Sequence, residues 1–289
     1  MIKLTITLVS WIWKHIVSLV SGVFYLLELF WSRFAGIVPA EPSELSIFER
    51  KIILPVLRYC RIPCHIGFIM DGNRRFARSR NSPSLFGHQM GFEKLRRVLL
   101  WCFELGVKEV SVYAFSMDNF SRSKEEVDYL MDLAESKLEN LCDEGGFVMK
   151  RKIKIKICGE MELLRPSLQR VIQRVESKTS HHNGGTFNVL LAYSSKREVS
   201  RAMERASACS KEKTVSWECI RSNLYIPSPV DLIVRTSGET RLSDFLIWQI
   251  KPEATVLVFE RNLWPAFSLK DLAKCLLRYH YRTEPTTIR

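Results

Sequence analysis

The sequence predicts an α/β protein: an open, mainly parallel six-stranded sheet flanked by helices, preceded by an N-terminal apolar membrane-associating helix. Three observations carry this prediction. Short apolar runs rich in β-branched and aromatic residues recur at 65–70, 109–116, 153–159, 186–193, 231–235 and 255–259. Between and after them, stretches with helical spacing of apolar residues fall at 86–105, 124–143, 163–178, 196–211 and 268–281, the alternation expected of a parallel sheet. Two of the runs lead directly into polar loops, in HIGFIMDGNRRFARS (65–79) and VDLIVRTSGETRLSDFLIWQ (230–249). In open α/β sheets ligands bind beyond the carboxyl ends of the strands, where these loops lie.

The chain opens on an apolar run, ITLVSWIWKHIVSLVSGVFYLLELFW (6–31), interrupted by Lys14, His15 and Glu28. A spanning helix needs about 20 largely uncharged residues, so Lys14 argues against a simple span. Trp11, Trp13 and Trp31 suit headgroup depth. No small-residue cleavage site follows, which argues against a signal peptide. Residues 1–34 are read as a membrane-associating segment with three arrangements open: a helix lying in the interface or partly inserted, a true anchor, or a helix buried against the protein or a partner. Residues 35–61, with Pro39, Pro42 and Pro55, read as a linker plus a short helix, and 62–289 as the domain that carries the chemistry.

At 289 residues and 46% hydrophobic, the chain can bury a full core. Its formal charge of +12 favours an anionic partner, which could be nucleic acid, anionic lipid or a phosphate ester. The KRKIKIK run (150–156) alternates Lys and Ile with period two, the mark of a strand with one solvated face. An aromatic-basic stacking signature for nucleic acid is missing, so no nucleic-acid partner is expected. Cys60 and Cys64 have no second pair at zinc spacing, and the eight cysteines read as reduced thiols in a cytosolic setting.

The two polar loops supply a strand-end acid, Asp71, and a group of arginines that includes Arg74, Arg75, Arg235 and Arg241. A carboxylate among so many cations suits a divalent metal with phosphorylated ligands, since guanidinium forks match phosphate geometry and hard cations take oxygen ligands. The sequence contains neither GxGxxG nor GxxxxGK[ST], which argues against a dinucleotide enzyme or a P-loop NTPase. No adjacent Asp-Asp pair occurs, as an all-helical isoprenoid synthase would require.

HIGFIMDGNRRFA, GHQMGF, YAFSMDNFSRS and RTSGETRLSDFLIWQ resemble the successive signature boxes of the cis-prenyltransferases, and the DGNRRFA form resembles the eukaryotic dehydrodolichyl diphosphate synthase branch. The resemblance covers about 62–281 and implies the cis-prenyltransferase fold. It also implies condensation of isopentenyl diphosphate in cis onto an allylic starter such as farnesyl diphosphate, giving a long-chain polyprenyl diphosphate of the dolichol-precursor type. The different-class alternative is a non-catalytic scaffold subunit of a heteromeric enzyme.

The resemblance assigns roles residue by residue. Asp71 would hold Mg2+ on diphosphate, and Gly72, Asn73, Arg74 and Arg75, opening a helix, would hold the allylic diphosphate with backbone N–H groups and guanidinium forks. Arg235, Arg241 and Ser243 match the residues that grip isopentenyl diphosphate, with Glu239 orienting the arginines. Ser116 and Asn119 match positions near the homoallylic substrate. Phe120 either bounds the reacting carbons or is a core aromatic; Arg122 matches a phosphate contact. His88 matches a position near the first diphosphate, or serves as a cap or packed residue. Apolar stripes on the helices at 86–105 (Phe92, Leu95, Leu99, Leu100, Phe103) and 124–141 (Val127, Leu130, Met131, Ala134, Leu138) are ordinary core stripes by periodicity; the family resemblance makes them the walls of a product tunnel.

Three departures accompany the likeness. Ser84 stands where many members carry an arginine, with Arg78 or Arg80 as possible substitutes. The strand TVLVF (255–259) lacks the glutamate that bacterial homologues associate with metal. The end YHYRTEPTTIR has no Arg-x-Gly tail, so the resemblance implies a Nogo-B-receptor-like partner subunit that supplies it, at the endoplasmic reticulum membrane with the catalytic domain facing the cytosol.

Overall fold

A computed structural model describes residues 49–143, 146–209 and 215–283; segment 1–34 and most of the linker, with the expectations placed on them, lie outside the described residues. The strands are β1 (His65–Ile69), β2 (Glu109–Ser116), β3 (Ile153–Cys158), β4 (Gly185–Tyr193), β5 (Leu232–Arg235) and β6 (Val256–Phe259). All pair in parallel, in the order β3-β4-β2-β1-β5-β6. Each of the six expected runs is therefore a strand, with ends moved by one residue at most. β1 and β5 are buried throughout, as central parallel strands covered on both faces must be. β3, at one edge, buries Ile153 and Ile155 and leaves Lys154 and Lys156 partly exposed, so the KRKIKIK alternation is a half-solvated strand.

Helices α1 (Leu54–Leu57), α2 (Asn73–Ser79), α3 (Ser84–Leu105), α4 (Lys124–Leu141), α5 (Phe147–Lys150), α6 (Pro166–Thr179), α7 (Ser195–Cys209), α8 (Trp217–Ser222) and α9 (Leu269–Thr283) complete the described fold. A π-helical turn, Glu49–Ile53, leads into α1. This end of the expected linker is docked: Leu54 and Leu57 are buried, and Glu49 accepts two hydrogen bonds from Arg97 of α3, at 2.9 and 2.8 Å. Among the described residues no helix is long and apolar enough to cross a membrane.

Strand order determines where a site can form. β1 lies between β2 and β5, so the chain leaves β1 toward one side of the sheet and returns to its other side later, which opens a crevice at the carboxyl ends of these strands. The core beneath it is aromatic: Phe68 of β1 lies 5.9 Å from Trp264 and 6.3 Å from Phe267 between ring centroids. The indole of Trp264 donates to the carbonyl of Gly91 at 2.7 Å, tying the β6 side of the sheet to α3.

Candidate active site

Asp71 follows β1 by two residues. Its N–H donates to Thr236 Oγ1 at 3.0 Å, and its carbonyl accepts from Thr236 Oγ1 at 2.7 Å and from Trp264 N at 2.9 Å. The backbone here is thus clamped from β5 and from the β6 side, leaving the carboxylate to act outward. Gly72 then takes φ +106°, and a Cβ there would meet Leu263 at 2.8 Å, so glycine is needed both for the turn and for the fit. α2 begins at Asn73 and packs on α3 through glycines. A Cβ at Gly87 would lie 2.1 Å from the Asn73 carbonyl oxygen, and one at Gly91 would lie 2.4 Å from Asn73 Oδ1.

Arg235, the last residue of β5, pairs in register with Ile69 and is 4% exposed. It gives Nη2 to Asp71 Oδ2 at 2.8 Å and Nη1 to Ser243 Oγ at 2.8 Å and to the carbonyl of Arg241 at 2.5 Å. One guanidinium therefore joins the β1 loop to the β5 loop. Burial alone would raise the pKa of Asp71, but the Arg235 hydrogen bond and the charges of Arg235 and Arg75 outweigh it and hold the carboxyl below its usual range. Arg75 donates to Ser237 Oγ at 2.5 Å and lies 3.4 Å from Asp71 Oδ1 and 3.5 Å from Glu239. Arg241 pairs with the same glutamate, so Glu239 sits between two arginines. The loop is held in unusual backbone: Ser237, Ser243, Asp244 and Leu246 have φ of 77°, 50°, 59° and 50°, a concentration of left-handed non-glycine residues typical of functional sites.

A second cluster gathers around Glu126 of α4, which lies 2.8 Å from Arg122, 3.7 Å from His88 Nε2 and 3.8 Å from Arg74. His88 is kept neutral at higher acidity than usual by burial and by the charges of Arg122 and Arg74, against the opposing pull of Glu126. Sequence reasoning missed Glu126, although Arg122–Glu126 is an i,i+4 pair. The Ser-x-x-Glu pattern of Ser123 and Glu126, which caps α4, gives it a structural reading first. Thr236 and Ser237 were missed too, because hydroxyls in a loop carry no sequence signal of their own.

These residues line two clefts. One, of about 420 Å³, takes in Gly72, Arg75, Arg78 and Glu239; the other, of about 370 Å³, takes in Ser116, Asn119, Arg235 and Ser243; Asp71, Asn73, Arg74, His88, Arg122 and Arg241 line both. Of the two substitutes for the missing arginine at Ser84, Arg78 lines the first cleft, and Arg80 lies over the Phe76 ring at 4.7 Å. Asn119 caps the turn Met117–Ser121 by accepting from Ser116 N at 3.1 Å. Phe120 lines neither cleft and packs edge-on against Phe115 at 4.9 Å. Both clefts meet, at Met70, Asn73 and His88, an apolar cavity of about 120 Å³ between α3, α4, β2 and β4. Of the expected apolar stripes, Phe92, Leu95, Leu130, Ala134 and Leu138 line it, while Leu99 and Met131 are buried in the core.

A parallel sheet with two cationic clefts that share one acid and open on an apolar cavity suits a transferase acting on diphosphates with apolar tails. Comparison with known proteins agrees: residues 69–286 match the family described as "Putative undecaprenyl diphosphate synthase", and the chain belongs to this family, the cis-prenyltransferases, and is a transferase of prenyl diphosphates. It is 40% identical over 246 residues to the dehydrodolichyl diphosphate synthase complex subunit DHDDS of Homo sapiens, covering 82% of this chain and 72% of that one. It is 34% identical to a tritrans,polycis-undecaprenyl-diphosphate synthase (geranylgeranyl-diphosphate specific) of Methanosarcina mazei, covering 83% and 84%. The crystal structure of lavandulyl diphosphate synthase from Lavandula x intermedia, in complex with dimethylallyl diphosphate, superposes with a TM-score of 0.71 at 30% identity, covering 78% of this chain and 97% of that one.

Enzymes of this family are generally Mg2+-dependent, and the residues present fit such an ion. Asp71 is an ionised hard donor that lines both clefts, and Asn73 lines them too, with its Oδ1 turned onto Gly91 of α3. Among the described residues no group of three or more His, Cys, Asp or Glu side chains converges. Mg2+ usually takes one or two protein carboxylates and completes its shell with water and substrate phosphates, and Asp71 is such a carboxylate.

Proposed function

We propose that the chain condenses isopentenyl diphosphate units in cis onto farnesyl diphosphate to give a long-chain polyprenyl diphosphate of the dolichol-precursor type. The observation that carries this reading is the shared wall: two cationic clefts meet at Asp71 and open together onto one apolar cavity. Two diphosphates can sit side by side there while the hydrocarbon of the starter points into the cavity. Such proximity converts a bimolecular coupling into an effectively unimolecular one.

In this reading Gly72, Arg74, Arg75 and His88 bind the allylic diphosphate, with Arg78 added in place of the absent family arginine. Arg235, Arg241, Ser243 and Arg122 bind the diphosphate of isopentenyl diphosphate. The allylic C–O bond breaks, diphosphate leaves with the electron pair, and the isopentenyl double bond attacks the allylic carbon. A proton then passes from the isopentenyl unit to a diphosphate oxygen, with Asn73, Ser116 and Asn119 orienting the groups around it. Asp71 would hold Mg2+, which when bound offsets charge on the departing diphosphate. The neutral His88 donates a hydrogen bond without adding a cation to be desolvated.

The human relative is named a complex subunit, which supports a heteromer; we assign the partner to the Nogo-B-receptor-like class, and the location to the endoplasmic reticulum membrane with the domain from residue 62 facing the cytosol. Residues 1–34 bind the membrane surface, and their deletion should release the protein from membrane pellets without abolishing the chemistry. A scaffold role is not favoured, since a subunit freed from catalysis has no need of the Asp71–Arg235–Ser243 network. The test is incorporation of labelled isopentenyl diphosphate by the chain with and without a candidate partner, followed by sizing of the product. Product formation only with both present supports the heteromer, and full activity of the chain alone contradicts it.

A further inference from the structure

The apolar cavity is too small for its expected occupant. About 120 Å³ is less than the roughly 150 Å³ of an engineered cavity that holds a single benzene, so it accommodates about one isoprenyl unit. A longer hydrocarbon must part α3 from α4 or leave between them.

Lys137 stands at that seam. It is the one Lys, Arg, Asp or Glu on the cavity lining among the described residues. It lies on α4 seven residues beyond Leu130 at the cavity mouth, about 10 Å deeper at 1.5 Å per residue. Its ammonium crosses to α3, where Nζ lies 3.2 Å from Glu93 Oε1 and 4.8 Å from the centre of the Phe92 ring. Both side chains are largely shielded, at 20% and 24% exposure, and Glu93 is held further by Arg96 at 3.2 Å. An ammonium beside a hydrocarbon site is costly unless it is paired, and the pair spans the two helices that must separate.

We propose that Lys137 and Glu93 form a latch across the α3–α4 seam, which the growing chain must open, and that the strength of this latch determines product length. The inference rests on the elongation reading above. A hydrocarbon passing between the helices would leave both charges without their partner in apolar surroundings. The three-unit tail of a farnesyl starter already exceeds the cavity, so the latch opposes the hydrocarbon from the first condensation and each added unit after it, until release competes with extension.

The test is product sizing with the full chain and its partner subunit, supplied with labelled isopentenyl diphosphate and farnesyl diphosphate. Lys137→Met keeps length and apolar volume but removes the charge; Glu93→Gln keeps shape and removes the counter-charge. Both should shift the product distribution upward by at least one isoprene unit, and the charge-swapped double variant Lys137→Glu/Glu93→Lys should return it toward the wild-type range. An unchanged distribution in both single variants, or a shift in Lys137→Met alone, overturns the latch, the second outcome pointing to side-chain volume instead. A wild-type complex that incorporates no isopentenyl diphosphate removes the elongation reading itself, a result distinct from an active enzyme with unaltered lengths.

Discussion

Arg235 Nη2 donates to Asp71 Oδ2 at 2.8 Å, so the last residue of β5 neutralises the acid that follows β1. The cation is nearly buried and the acid is partly open to the cleft. The pair holds the carboxylate ionised while a second oxygen, 3.4 Å from Arg75, remains loosely engaged and free to change partners when a diphosphate arrives.

Asp71→Asn should keep the fold and lose turnover by about 100-fold or more, the scale on which one metal or oxyanion contact acts. Steady-state kinetics at saturating Mg2+ measure it, and near-normal turnover would remove Asp71 from the chemistry.

The same pair predicts an acid limb of stability. The Asp71 pKa is lowered in the fold, so its contribution is present above the unfolded value near 3.9 and is lost as pH falls through the depressed folded value. Urea unfolding should show a wild-type advantage over Asp71→Asn that is constant above about pH 5 and shrinks below about pH 4. An advantage that grows with acidity would contradict the assignment.

Gly87→Ala tests the seating of α2. The added Cβ would fall 2.1 Å from the Asn73 carbonyl oxygen, and backbone cannot move aside cheaply. A loss of about 1–3 kcal/mol in chemical denaturation is expected from such overpacking, with lower activity because Asn73, Arg74 and Arg75 shift together. Unaltered stability would mean the two helices are not in this contact.

Arg241→Ala should chiefly raise KM for isopentenyl diphosphate, with a smaller effect on the allylic starter. Its exposed guanidinium lines the cleft with Ser243 and would bind phosphate alike in ground and transition states. Kinetics with each substrate varied in turn decide it; an effect confined to the starter would reverse the assignment of the two clefts.

Glu198 of α7 ties together the end of β4, Ile226 and Gln249. It is buried, its pKa is raised by burial against the hydrogen bonds that favour its charge, and it accepts from Tyr193 OH at 2.5 Å, Ile226 N at 3.0 Å and Gln249 Nε2 at 3.2 Å. Glu198→Ala should lower stability by about 3 kcal/mol, since each buried donor left without a partner costs about 1–3 kcal/mol. A thermal or denaturant midpoint equal to wild type would show that water replaces the carboxylate.

The sheet was legible because each strand is a short β-branched run set between helical stretches, and Lys154 and Lys156 mark the solvated face of β3. The residues of the candidate site were legible because Asp71, Arg235 and Ser243, which the fold brings together, sit within long motif boxes. What binds them together was not. Thr236 and Ser237 act through hydrogen bonds made only once β1 and β5 converge, Glu126 meets Arg74 and His88 only when α2, α3 and α4 come together, and Gly87 and Gly91 matter through their close approach to Asn73. The small volume of the apolar cavity follows from how side chains of α3, α4, β2 and β4 fill the space between them, which apolar periodicity does not reveal. The expectations for 1–34 and for the tail after Thr283 fall outside the described residues.

The most direct test of the central claim is transfer of labelled isopentenyl diphosphate to farnesyl diphosphate by the full chain with its partner subunit, in wild-type and Asp71→Asn forms. The account predicts a long polyprenyl diphosphate with newly formed cis double bonds from the wild type, and about 100-fold less from the variant. Newly formed trans double bonds, or equal product from both forms, would contradict it.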